Sequence, residues 1–302
     1  MKILGSIALL CVVVGMAAGC GDDSPTPPGA TVRTIDFPGD APTLKAAIGM
    51  ASAGDTVRVG PGAHSIDSTL VFDSAKDGVA LIGRGDAEIG KALVERPILD
   101  FTRTPRADGI IVAAGASSVT IRGLEITGIL EAGVGLLGPG GRLVDCVVRR
   151  AATDAVACTQ ATSDGTIEKN LLLYPGRFGV YCVLGAHPRV VGNTIVGAIE
   201  CGIYSANSGP ICDRNIVVLA QNYGFICYGP TLPTLYCNDA FGNGINYEGC
   251  MEDTTTNFKL DPLFCDSTAF TLRSDSPFDS ANAGACGQIG AAGVGCAAGA
   301  AE

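Results

Sequence analysis

From residue 121 onward, short apolar runs alternate with single polar or small residues on a period too long for a helix or a single strand. The stretches IRGLEIT, LVDCVVR, IEKNLLL, VVGNTIV, CDRNIVV and LYCNDAF align on a fourth position filled by Leu124, Cys146, Asn170, Asn193, Asn215 and Asn238. The spacings are 22, 24, 23, 22 and 23 residues. A second column runs through AGVGL, DAVAC, FGVYC, CGIYS, YGFIC and NGINY, at Gly133, Ala155, Gly179, Gly202, Gly224 and Gly244. Two columns that keep one period across six units define a repeat.

Each unit offers strands of three to five residues, too short to bury a face alone, so a stacked neighbour must supply the missing partner. In-register parallel strands lie about 4.7–4.9 Å apart and pile equivalent side chains into ladders. Stacked Val, Ile and Leu fill the interior at about 1.5–3 kcal/mol per side chain. A buried amide without a partner costs about 1–3 kcal/mol. Four successive asparagines, Asn170, Asn193, Asn215 and Asn238, therefore predict a ladder of amides and not four separate sites. Coils of this length suit a right-handed parallel β-helix. Leucine-rich repeats share the length, but their spaced leucines are missing.

The flanks extend the pattern. Upstream coils continue through GVALIG, RPILDF, DGIIVAAG and SSVTIRGLEITG. Before them, Leu44, Ala47, Ile48 and Ala51 fall at helical spacing and are followed by the strand TVRV, which predicts a helix capping the open end of the core. After residue 250 the period breaks, and an irregular, disulfide-containing C-terminal cap is expected. The fold class is thus all-β: a solenoid over 34–250, with its N-terminal cap, and a C-terminal cap over 251–302.

The first residues, MKILGSIALLCVVVGMAAGC, carry Lys2, an apolar run from Ile3 to Val14 and the small residues Ala17, Ala18 and Gly19. That is an export signal over 1–19. Because Cys20 follows the small residues, the segment resembles a bacterial lipoprotein signal, which implies lipidation of Cys20. Ala17 stands where such signals usually have Leu, which leaves ordinary secretory cleavage open. GDDSPTPPGAT then begins a Pro/Ser/Gly tether that ends near residue 33. The expected location is outside the cytoplasm, lipid-anchored to a bacterial membrane and facing the periplasm or the cell surface.

Composition narrows the function classes. Forty-two glycines, 17% charged residues and no tryptophan exclude a helical bundle. A net charge of −10 with no basic run argues against nucleic acid as a partner. Of 13 cysteines, 11 remain after Cys11 and Cys20 are set aside, so at least one stays unpaired or pairs between molecules. Proximity in sequence pairs Cys237 with Cys250 and Cys286 with Cys296. Cys158, Cys182 and Cys227 share a column with Ser205, where inward cysteines behave as small hydrophobes.

The opening TLKAAI…AGDTVRVGPGAH, together with the repeats, resembles the pectin-lyase-like superfamily of right-handed β-helix proteins over roughly residues 40 to 296. The ending NFKLDPLF…SDSPFDSA…CGQIGAAGVGC is similar to the tails of exported bacterial right-handed parallel β-helix repeat proteins. That group commonly has a cysteine where this chain has Phe278, a departure that would leave Cys265 without its partner. The superfamily holds lyases, hydrolases, epimerases and adhesins, so the resemblance implies a fold and not an activity.

Motifs of the superfamily's enzymes are missing. There is no His-Gly with Arg-x-Lys and no Asp-Pro-His-Asp, and DPLF at Asp261–Phe264 lacks the histidine. The two histidines, His64 and His187, stand alone in sequence. The repeat register itself assembles one constellation. Asp154, Arg177 and Glu200 fall on three consecutive coils just before the glycine column, with Tyr174 and Tyr223 as candidate ligand-binding rings. An ion-pair ladder accounts for the charged residues, since stacking demands opposite signs in neighbouring coils. Asp145 and Lys169 fit a plain pair of the same kind.

The expectation is a non-catalytic surface protein that engages a polysaccharide or an envelope protein and uses no cofactor. The alternative is a polysaccharide lyase or related carbohydrate-active enzyme acting through a lateral groove with Asp154, Arg177 and Glu200, calcium entering only in the lyase case.

Overall fold

The computed structural model describes residues 31–84, 96–251 and 256–299. The export signal, Cys20 and most of the expected tether lie outside the described residues. Three all-parallel sheets run along the solenoid, one of nine strands and two of eight. The first sheet runs from Thr34–Phe37 to Thr234–Tyr236, the second from Ala63–Ser65 to Asp239–Phe241, and the third from Leu70–Phe72 to Ile245–Glu248. A coil visits them in that order. Thr166–Glu168, Leu171–Leu173 and Phe178–Val183 form one such coil. Inward positions Val148, Leu172, Ile195 and Val217 stack in one buried core.

The asparagines form the expected ladder where the first sheet turns into the second. Asn193 Oδ1 accepts from the backbone N–H and from Nδ2 of Asn170, both at 2.9 Å. Asn193 Nδ2 donates to the Ile167 carbonyl at 2.8 Å and to Asn215 Oδ1 at 2.9 Å. Asn215 and Asn238 repeat the pattern, and all four amides are fully buried. Asn257 adds a fifth rung, accepting from Asn238 N and Nδ2 at 3.0 Å. It falls 19 residues after Asn238, off the repeat period, so the aligned columns do not reach it. At the other end Cys146 holds the same position, its thiol directed to the carbonyls of Val144 (3.3 Å) and Ile121 (3.7 Å). The residue before Cys146 and before each of the four in-period asparagines is left-handed, with φ of 54°, 53°, 62°, 56° and 55° at Asp145, Lys169, Gly192, Arg214 and Cys237. That tight corner is what turns the asparagine side chain under the preceding coil.

The glycine column has a steric cause. A Cβ on Gly202 would lie 2.1 Å from Val217 Cγ1 and 2.8 Å from the Gly224 carbonyl; on Gly179 it would lie 2.4 Å from Ile195 Cγ2. The third sheet enters here against core side chains of the second, leaving no room for a methyl group.

The helix Leu44–Met50 caps the first coils. Thr43 Oγ1 accepts from Ala46 N at 3.1 Å, and Leu44, Ala47 and Ile48 face the core. The C-terminal segment does something the broken period did not indicate: it folds back as a strap over the outside of the second sheet. Phe270, Leu272, Phe278 and Ile289 cover the outward side chains Val147, Leu171, Leu173, Val196, Ile216 and Val218 in a second buried cluster. That explains why strands such as Leu171–Leu173 and Ile216–Val218 are buried at every position.

The disulfide pairing expected from sequence proximity is corrected. The bridges are Cys227–Cys250, Cys237–Cys286 and Cys265–Cys296. Cys237 sits at the corner between the first and second sheets, whereas Cys250 follows the third, so thirteen residues of chain separate them by half a coil. Cys237 is bonded instead to the strap lying against its corner. Cys265 bonds Cys296, and Phe278 fills the strap core beside Phe258, ring centroids 5.5 Å apart. The column of Cys158, Cys182, Ser205 and Cys227 is in register, but Cys227 is bridged and only the first two are buried thiols. Cys146, Cys158, Cys182, Cys201 and Cys212 are the free thiols among the described residues, all buried and so closed to pairing between molecules.

Candidate functional site

Arg177 and Glu200 close their loops immediately before strands Phe178–Val183 and Cys201–Ala206 of the third sheet. Their backbones stack: Arg177 N donates to Thr153 O at 2.8 Å, and Glu200 N to Arg177 O at 2.9 Å. The side chains meet as an ion pair, Nε to Oε1 3.8 Å, each about half exposed. The Arg177 guanidinium also lies 4.6 Å from the Phe178 ring centroid and 5.6 Å from that of Tyr181. Asp154, one coil earlier, is 6% exposed, and its Oδ1 has no hydrogen-bond partner. Burial pushes its carboxyl up to about 6, with the Glu200 and Asp108 charges adding to the rise, while Arg177 and the Phe178 backbone N–H oppose it.

The structure therefore brings Asp154, Arg177 and Glu200 together, and the ion-pair account covers Arg177 and Glu200. It does not cover Asp154, whose carboxylate is buried beside them with an unused oxygen.

The two tyrosines do not group in the same way. Tyr174 is an exposed left-handed corner residue (φ 54°) whose ring lies over Gly197 at the second-to-third-sheet turn. Tyr223 belongs to the third sheet, in register with Cys201 and Ile245. Beside it runs an aromatic band that the candidate residues did not include. Phe178 stacks on Tyr181 (5.1 Å) and on Tyr204 (4.7 Å); Tyr181 and Tyr204 are 5.4 Å apart, and Tyr204 and Tyr228 5.9 Å. The signal was present in the repeat: Tyr181 and Tyr204 each stand two residues after a column glycine. Among the described residues the hydroxyls of Tyr181, Tyr204, Tyr223 and Tyr228 make no hydrogen bond. Burial, followed by the neighbouring Tyr181, raises the Tyr204 phenol above its ordinary value, so it remains a neutral donor and acceptor.

The donor set does not fit calcium. A guanidinium stands against Glu200 and beside Asp154, and among the described residues no three His, Cys, Asp or Glu side chains gather to hold a metal ion. The histidines are elsewhere: His64 Nε2 lies 2.8 Å from the Gly60 carbonyl, and His187 is exposed.

Comparison with known proteins agrees with the architecture. Residues 107–259 match the family described as "Right handed beta helix region". No curated protein sequence matches the chain. Among solved structures, pectate lyase Pel9A superposes with a TM-score of 0.50 at 15% identity, covering 88% of this chain and 97% of that one. The Dettilon tailspike protein (gp208) gives a TM-score of 0.37 at 14% identity, covering 86% and 68%. The catalytic unit of the GH87 alpha-1,3-glucanase from Streptomyces thermodiastaticus strain HF3-3 gives 0.31 at 12%, covering 72% and 64%. At 15% identity the likeness to the pectate lyase is one of fold.

Proposed function

The chain belongs to the right-handed β-helix family, and from that membership we propose that it is an exported surface protein, lipid-anchored through Cys20, that binds carbohydrate without turning it over. The observation that carries this is the outer face of the third sheet. There, unpartnered phenol hydroxyls stand beside the Arg177–Glu200 pair and the buried Asp154 carboxylate. Carboxylates accept from sugar hydroxyls, a guanidinium donates to them in a planar fork, and ring edges supply apolar contact with further hydroxyls. The groups recur from coil to coil, which suits a repeating polymer lying along the face.

Arg177 is salt-bridged and stacked, the arrangement of a donor held for binding and not of a group that takes up a proton. The three disulfides are consistent with an exported protein.

The test is calorimetric titration with neutral and uronate oligosaccharides, with unsaturated products followed by absorbance in parallel. Saturable binding that weakens at least tenfold in Tyr204→Ala and Arg177→Ala, without product, is the expected result. Product formation lost in Arg177→Ala would overturn the non-catalytic assignment, and the absence of binding to every glycan would overturn the carbohydrate assignment.

A further inference from the structure

A second cleft, on a different wall of the solenoid, is unexplained by the third sheet. It has a volume of 740 Å3 and lies between the outer face of the first sheet and strap residues 288–294. The chain carries a net −10, yet the charged lining is Arg122, Arg142, Lys169 and Arg214 against Asp145 and Glu168.

Most of these charges are already matched. Arg142 meets Glu168 at 3.5 Å, Arg214 meets Asp213 at 3.0 Å, and Asp145 meets Arg96 at 3.6 Å. Lys169 is thus not the partner of Asp145 that the column spacing suggested. Among the described residues, Arg122 and Lys169 make no ion pair. They are two coils apart: Arg122 is in register with Val144, Val144 with Glu168, and Lys169 follows. At about 4.8 Å per coil, the backbone positions of the two residues stand about 10 Å apart along the solenoid axis.

The opposite wall is preformed. Cys237–Cys286 anchors the strap, Gly290 N donates to Arg214 O at 2.8 Å, and Ala291 N donates to Thr194 Oγ1 at 2.9 Å. Val144, Val191 and Val294 give the cleft apolar sides, which focus the field of the two unmatched cations. Its volume is that of a small-molecule site.

We propose that this cleft binds a small linear ligand bearing two oxyanion groups about 10 Å apart, one held by the Arg122 fork and one by the Lys169 ammonium. The shared chemistry is the oxyanion, phosphate or carboxylate. The site is independent of carbohydrate binding on the third sheet.

The experiment is titration of the exported chain with inorganic phosphate and two linear probes of matched length, butane-1,4-diol bisphosphate and the dicarboxylate suberate, repeated with Arg122→Gln, Lys169→Gln and Glu200→Gln. The bisphosphate or suberate binds at least tenfold more tightly than inorganic phosphate. That gain disappears in Arg122→Gln and in Lys169→Gln and persists in Glu200→Gln, and the better of the two probes identifies the oxyanion. No saturable binding of either probe, or a gain that survives both cation variants, overturns the proposal.

Discussion

Replacing Asn193 by alanine removes the central rung of the amide ladder, and the structure sets the size of the effect. The Asn170 backbone N–H has Asn193 Oδ1 as its acceptor at 2.9 Å and becomes an orphaned buried donor. The Ile167 carbonyl loses the Nδ2 donor at 2.8 Å, and Asn170 Nδ2 loses one of its two acceptors while keeping the Leu143 carbonyl. One orphaned N–H costs about 1–3 kcal/mol, and the weakened carbonyl and amide add about 1 kcal/mol each. The sum, about 3–5 kcal/mol, is a large part of the stability of an ordinary domain. Asn193→Asp keeps the acceptor but aims a carboxylate at the Ile167 and Val191 carbonyls. It therefore loses at least as much at neutral pH and recovers part of the loss in acid, when it protonates. Urea unfolding followed by circular dichroism reads both values as a lower midpoint. A loss below about 1 kcal/mol for Asn193→Ala, the size expected of a solvated amide, would refute the ladder's energetic role.

Other consequences are equally direct. Gly202→Ala drives a methyl into Val217 and the Gly224 carbonyl and costs about 3 kcal/mol or more by the same unfolding assay, because backbone cannot yield. Cys286→Ser opens a loop with a sequence separation of 49, costs about 4 kcal/mol, and exposes the outward face of the second sheet to a hydrophobic dye. Burial pushes the Asp239 carboxyl up to about 8, with the Asp261 charge adding to the rise. Its neutral form fits the fold, so its contribution is fully present below about pH 4 and is lost as pH rises through about 8; Asp239→Asn flattens that part of the melting profile. Burial likewise raises the Asp154 carboxyl to about 6, so its contribution to stability is fully present below about pH 4 and is lost as pH rises through about 6, a dependence that Asp154→Asn removes from the melting profile.

How much of the molecule the sequence alone determined follows from which interactions repeat. The period of 22 to 24 residues and the amides at Asn170, Asn193, Asn215 and Asn238 specify coils, register and ladder, because equivalent residues stack on their own kind one coil away. The same register places Arg177 on Glu200 and Asp154 beside them. The tertiary structure decided what does not repeat. Asn257 joins the ladder off the period, and the strap's position depends on which outward apolar faces it covers, with long-range contacts such as Ala291 to Thr194. The runs LLL and IVV carried a trace of this, since a strand with one wet face would alternate, but they do not say what covers them. Disulfide partners were invisible for the same reason: half a coil carries the chain across the core, so Cys237 and Cys250 are near in sequence and far apart in space. The cleft of Arg122 and Lys169 exists only because the strap that covers the second sheet walls off the neighbouring outer face of the first, and that second wall lies more than a hundred residues along the chain.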